Sequence, residues 1–96
     1  MELEFSGPVF TWRGPAPHHF VAVPEAESDA LDDARAAVTY GWGMVPVTAR
    51  LGGSTWTTSL WPKNGGYIVP LRLDVRRREQ VDLGDTVTLG LTIDVR

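Results

Sequence analysis

The sequence predicts a mainly β domain, a single small barrel with a short helix capping each end. Three observations predict it. Apolar and polar residues alternate with period two along most of the chain, as they do in half-buried strands. Two-residue turn signals, Gly52-Gly53 and Asn64-Gly65, join alternating runs in the manner of β-hairpins. A unit of strand, proline, helix, glycine and strand occurs twice, beginning at Phe20 and at Tyr67. Two such halves close one barrel about a pseudo-two-fold.

The elements follow in order. Leu3 and Phe5 alternate with Glu2, Glu4 and Ser6, with Val9–Trp12 as a candidate continuation beyond the break at Gly7-Pro8. Residues 13–17 have loop composition. A strand over His18–Val23 stops at Pro24. The spacing of Ala26, Ala30, Leu31, Ala34, Ala37 and Val38 predicts a helix over 25–38. Its early acids, Glu25, Glu27 and Asp29, suit the positive end of the helix dipole. In the strand Met44–Leu51, Val45, Val47, Ala49 and Leu51 share one face, and Pro46 marks an edge or a bulge. Thr55–Trp61 returns with Trp56, Thr58 and Leu60 on one face and Thr57, Ser59 and Trp61 on the other. A further strand covers Tyr67–Leu71, a short helix Asp74–Gln80, and a last alternating strand Thr86–Val95.

Ninety-six residues make one domain, 1–96, with one core. The chain has no cysteine, which excludes disulfide staples, thiolate metal sites and a cysteine nucleophile. The longest wholly apolar run is Phe20–Val23, far short of a membrane-spanning helix. The acidic start Met1–Phe5 is unlike a secretory signal, so a cytoplasmic location is expected. A formal charge of −3 argues against a general nucleic-acid coat, whose affinity depends on many basic contacts. That charge is unevenly spread: residues 1–48 carry −5 and residues 49–96 carry +2.

The residues from Ile68-Val69-Pro70 through Val75-Arg76 to Leu83-Gly84-Asp85-Thr86-Val87 resemble the AbrB/MazE swapped-hairpin signature. The whole chain is similar to the family catalogued as domain of unknown function 1905. The likeness lies in Phe20-Val21, Val23-Pro24, Val45-Pro46-Val47, Trp56, Thr58-Ser59-Leu60, Pro62-Lys63 and Gly66-Tyr67, and it extends through Pro70, Val75-Arg76 and Gly84-Asp85. The resemblance implies a single-chain double-split β-barrel and no established activity. Gln80-Val81-Asp82-Leu83 departs from the usual Gly-Leu lead into Gly-Asp.

Little in the sequence points to catalysis. His18 and His19 are adjacent, so a strand sends them to opposite faces, and neither a metal site nor a cofactor is expected. Ser59 and Lys63 could form a nucleophile–base pair only if the turn at Lys63 brought them together. The glycine pairs lack the G-x-x-x-x-G-K pattern and read as turns. Two groups are better suited to binding. Trp42 and Trp61, near Arg50, Ser59, Lys63 and Tyr67, form a candidate ligand surface on which a ring stacks. Arg72, Arg76, Arg77 and Arg78 form a candidate anion or nucleic-acid contact, since guanidinium binds oxyanions bidentately. The expected function is a non-catalytic module that binds a small anionic or aromatic ligand, a protein partner or weakly a second copy. The alternative is a nucleic-acid-binding domain, by analogy with AbrB-type barrels.

Overall fold

The computed structural model describes residues 1–12, 18–38 and 44–93, with the side chains of Trp12 and residues 34–38 left aside. Six strands and two helices follow one another: β1 Glu2–Trp12, β2 His18–Ala22, α1 Glu25–Val38, β3 Val45–Leu51, β4 Ser54–Lys63, β5 Gly66–Leu71, α2 Leu73–Arg78 and β6 Thr86–Thr92. All pairings are antiparallel, and the strands close a barrel in the order β1-β2-β5-β4-β3-β6. The mainly β barrel with two helices is as the alternation predicts.

Two strands change partner partway along their length. β1 pairs with β6 from Glu2 to Pro8 and with β2 from Val9 to Trp12. The change falls at Gly7-Pro8, so this apparent break is a corner within one strand. Only glycine fits easily there, because a β-carbon at residue 7 would stand 3.3 Å from Val21 Cγ1. β4 pairs with β3 up to Leu60 and with β5 from Trp61 to Lys63. It therefore runs two residues beyond the predicted Trp61. β3 is an interior strand, yet its ladder with β6 begins only at Thr48, past Pro46, which has no amide proton to donate.

The turns follow their sequence chemistry. Asn64 (φ 53°) and Gly65 (φ 81°) are both left-handed, the type I′ hairpin. Of the Gly52-Gly53 pair only Gly52 has positive φ, 58°, as in type II′. α2 spans Leu73–Arg78 rather than Asp74–Gln80, because Gln80 takes a left-handed φ of 55° that ends the helix. α1 opens on Pro24, whose carbonyl accepts from the Ser28 amide at 2.8 Å.

Inward residues from every strand fill the barrel, including Phe5, Val21, Val47, Trp56, Leu60, Val69, Leu89 and Leu91, and Leu31 of α1 and Val75 of α2 join them. β2 and β5 run antiparallel, so the helices that follow them leave from opposite ends of the barrel. Phe20 and Ile68 are also buried but lie outside this core cluster. Strand alternation turns them to the outer face of β2 and β5. No helix among the described residues is long and apolar enough to cross a membrane.

Candidate functional site

The outer face of β2, β4 and β5 carries an aromatic cluster. Phe20, 1% exposed, lies 6.1 Å from Phe10 and 5.1 Å from Trp61 between ring centroids. His18 stands edge-on to Trp61 at 6.2 Å. Trp61 is half-buried, fixed against Phe20. The β4–β5 ladder ends at Trp61 and Ile68, and beyond that point a groove of about 1000 Å³ opens, bordered by His18, Thr58, Trp61, Pro70 and α2. Arg72, Arg76 and Arg77 line its α2 side, with Leu73 and Asp74. A smaller depression of about 390 Å³ continues past Arg76 and Arg77 to Val81 and Asp82.

The four arginines of α2 and its approach are not equivalent. Asp74 takes Arg72 Nε at 3.2 Å and Arg78 Nη2 at 3.9 Å. Arg78 also donates to Ser54 Oγ at 3.1 Å. Arg76 and Arg77 form no ion pair among the described residues. Arg76 Nε is buried without a hydrogen-bond partner there, a costly condition for a charged donor. His19 Nδ1 is likewise buried and without a hydrogen-bond partner among the described residues. Burial, and secondarily the Arg76 guanidinium, hold the His19 imidazole below its ordinary pKa of 6.5, against the opposing pull of Asp82.

The structure thus joins parts of the two predicted groups and separates the rest. Trp61 shares one groove with Arg72, Arg76 and Arg77. Arg78 turns away toward Ser54. Arg50 lies on the β3–β6 side, donating to Thr92 Oγ1 at 2.8 Å and standing 3.8 Å from Glu2. It crosses Gly90, where a β-carbon would meet Arg50 Nη2 at 2.5 Å. Lys63 borders a different depression, about 530 Å³, between the Asn64-Gly65 turn and Glu25, Ser28 and Asp29 of α1. Tyr67 borders that depression too. Its ring is 3% exposed within the core, because alternation in β5 points it inward, and its hydroxyl donates to Asp32 at 2.8 Å. Ser59 of β4 pairs with Pro46 of β3 and borders neither groove. Trp42 lies outside the described residues.

His18, Thr58, Pro70 and Leu73 also border the groove and are not among the residues expected from the sequence. His18 and Phe20 share a strand face, which was a readable signal. That β4 and β5 part beside them was not. No group of three or more His, Asp or Glu residues able to hold a metal ion occurs among the described residues.

A closed antiparallel barrel with a helix at either end, bearing one aromatic and cationic groove, defines a small β-barrel domain. More particularly, the chain belongs to the family described as Domain of unknown function (DUF1905), whose model matches residues 5–91. No curated protein matches the chain.

Proposed function

We propose that this chain is a non-catalytic binding module whose ligand seat is the groove between His18, Trp61 and α2, and that the ligand is an anion. One observation carries the reading. Arg76 and Arg77, which have no ion-pair partner among the described residues, border the same groove as a half-buried tryptophan. Unneutralised guanidinium beside low-dielectric aromatic surface attracts oxyanions more strongly than it would in open water. The equivalent depression at α1 is bordered instead by Glu25 and Asp29, so charge distinguishes the two ends of the barrel. A non-catalytic role is supported by the separation of Ser59 from the groove and of Lys63 into the other depression, since nucleophile, base and oxyanion donors must converge.

The accompanying fold reading is a double-split barrel of the AbrB/MazE type. Strand order supports its pseudo-two-fold: exchanging β1 with β4, β2 with β5 and β3 with β6 leaves every neighbour unchanged. β1 and β4, exchanged by this operation, are the strands that change partner midway.

The alternative ligand is a single-stranded nucleic acid, favoured by the stacking surface at Trp61 beside arginine. The two readings separate in one pair of titrations. Inorganic phosphate is expected to shift the amide resonances of Arg76 and Arg77 and the Trp61 indole signal. An oligonucleotide held by two arginines would show log K falling with log salt at a slope of about −1.4. Phosphate shifts confined to Arg50 or the α1 end would refute the assignment of the groove.

A further inference from the structure

We infer that the ligand of this groove carries a planar aromatic ring and an oxyanion on one small scaffold, an aryl carboxylate or an aromatic phosphate ester. The ring lies against Trp61 and the oxyanion at Arg76 and Arg77. The inference rests on the anion-binding reading above and specifies its chemistry. The groove has two unlike walls. One is apolar and aromatic: Trp61, backed at 5.1 Å by the buried Phe20 and met edge-on by His18, with Pro70 beside it. Leu73, 49% exposed, adds apolar surface at the rim. The other wall is cationic, and its charge is concentrated, because Asp74 engages Arg72 at 3.2 Å and leaves Arg76 and Arg77 unpaired among the described residues.

A bare inorganic anion would satisfy the cationic wall and leave the aromatic wall wet. A neutral ring would cover Trp61 and leave the arginines without an acceptor. A ligand holding both groups satisfies both walls, and the second contact then forms within an already bound molecule. Trp61 is suited to receive a ring because Phe20 fixes it in advance, so little side-chain freedom is lost on binding. The fork of guanidinium donors fits carboxylate and phosphate oxygens alike. The volume of about 1000 Å³ lies at the upper end of the range of about 300–1,000 Å³ typical of small-molecule sites.

The test is a titration of the full chain with four probes: benzamide as the ring alone, inorganic phosphate as the anion alone, and phenyl phosphate and benzoate as both. Phenyl phosphate or benzoate is expected to bind at least about tenfold more tightly than either inorganic phosphate or benzamide, tenfold being 1.4 kcal/mol. Whichever of the two binds tighter identifies the oxyanion. Trp61→Leu, which keeps apolar bulk over Phe20, is expected to abolish the advantage of the ring and leave phosphate affinity within about twofold. Arg76→Gln with Arg77→Gln is expected to remove binding of all the anions. If inorganic phosphate shifts Arg76 and Arg77 but neither ring-bearing anion binds better, the inference is overturned while the anion site stands. If no anion perturbs α2, both fall.

Discussion

The Glu79 carboxylate accepts a 2.6 Å hydrogen bond from the hydroxyl of Ser54, a residue only 1% exposed. Its other oxygen lies 3.4 Å from the Gly53 amide and fills the place that a β-carbon at residue 52 would take. Arg78 reaches the same Ser54 oxygen at 3.1 Å. Through these contacts the exit of α2 is fastened to the β3–β4 hairpin. α2 is only six residues long and could not hold its place as an isolated helix. Its orientation over the barrel end therefore depends on this clasp and on the buried Val75.

The clasp predicts a contrast between adjacent glycines. Gly52→Ala would strain a φ of 58° and displace Glu79, so a loss of about 1–3 kcal/mol is expected. Gly53→Ala meets open space and is expected to change stability by less than about 0.5 kcal/mol. Urea unfolding of the two variants measures the difference. Equal losses would show that the carboxylate does not occupy that position.

A second contrast lies between Trp56 and Trp61. Trp56 fills the barrel interior at 4% exposure, and its indole Nε1 has no partner among the described residues. Trp56→Ala is expected to cost about 3–5 kcal/mol. Trp56→Phe should cost far less, because no hydrogen bond is lost with the indole. Trp61→Leu, on the outer face, should cost no more than about 1.5 kcal/mol. Chemical denaturation of the three variants tests this order, and a Trp61 loss equal to that of Trp56→Ala would contradict the outer placement.

The third prediction concerns pH. His19 titrates below 6.5 in the folded chain, through burial first and Arg76 second, with Asp82 opposing. As pH falls, the unfolded chain takes up this proton before the folded one does. The contribution of His19 is therefore complete above about pH 6.5 and is lost on acidification until the folded imidazole titrates. Unfolding midpoints for the parent and His19→Gln should run parallel above about pH 6.5 and diverge on acidification until the folded imidazole has titrated. An anion seated on Arg76 cancels part of its field, so the His19 pKa should rise in the complex, as followed by the imidazole proton shifts. A parent profile parallel to His19→Gln throughout would be evidence against the half-buried placement of this ring.

Tyr67 supplies a fourth. Its hydroxyl donates to Asp32 at 2.8 Å, linking β5 to α1. Tyr67→Phe keeps the core ring and removes this bond, at an expected cost of about 0.5–1.5 kcal/mol. Asp32→Ala should cost no more, and the double variant little beyond either single one. Additive losses in that cycle would rule out the pairing.

The barrel was largely legible because its information is local. The alternation in β3 and β6 and the Asn64-Gly65 turn each specify geometry within a few residues. The strand–proline–helix order likewise placed a helix after β2 and after β5. The site was less legible because it depends on distant registers. Trp61 and the arginines meet only because the β4–β5 ladder stops at Ile68, which no local pattern announces. Tyr67 and Trp61 looked like neighbours, yet one points into the barrel and the other out of it. Charge counting alone could not distinguish Arg76 and Arg77 from Arg72 and Arg78, because Asp74 makes that distinction by contact.

The most direct test of the groove is the set of intermolecular nuclear Overhauser effects from the ring protons of bound phenyl phosphate. The account predicts contacts to the Trp61 indole and to His18, and none to Trp56. Contacts to Phe10 or to the Asn64-Gly65 turn instead, at the α1 end, would contradict it.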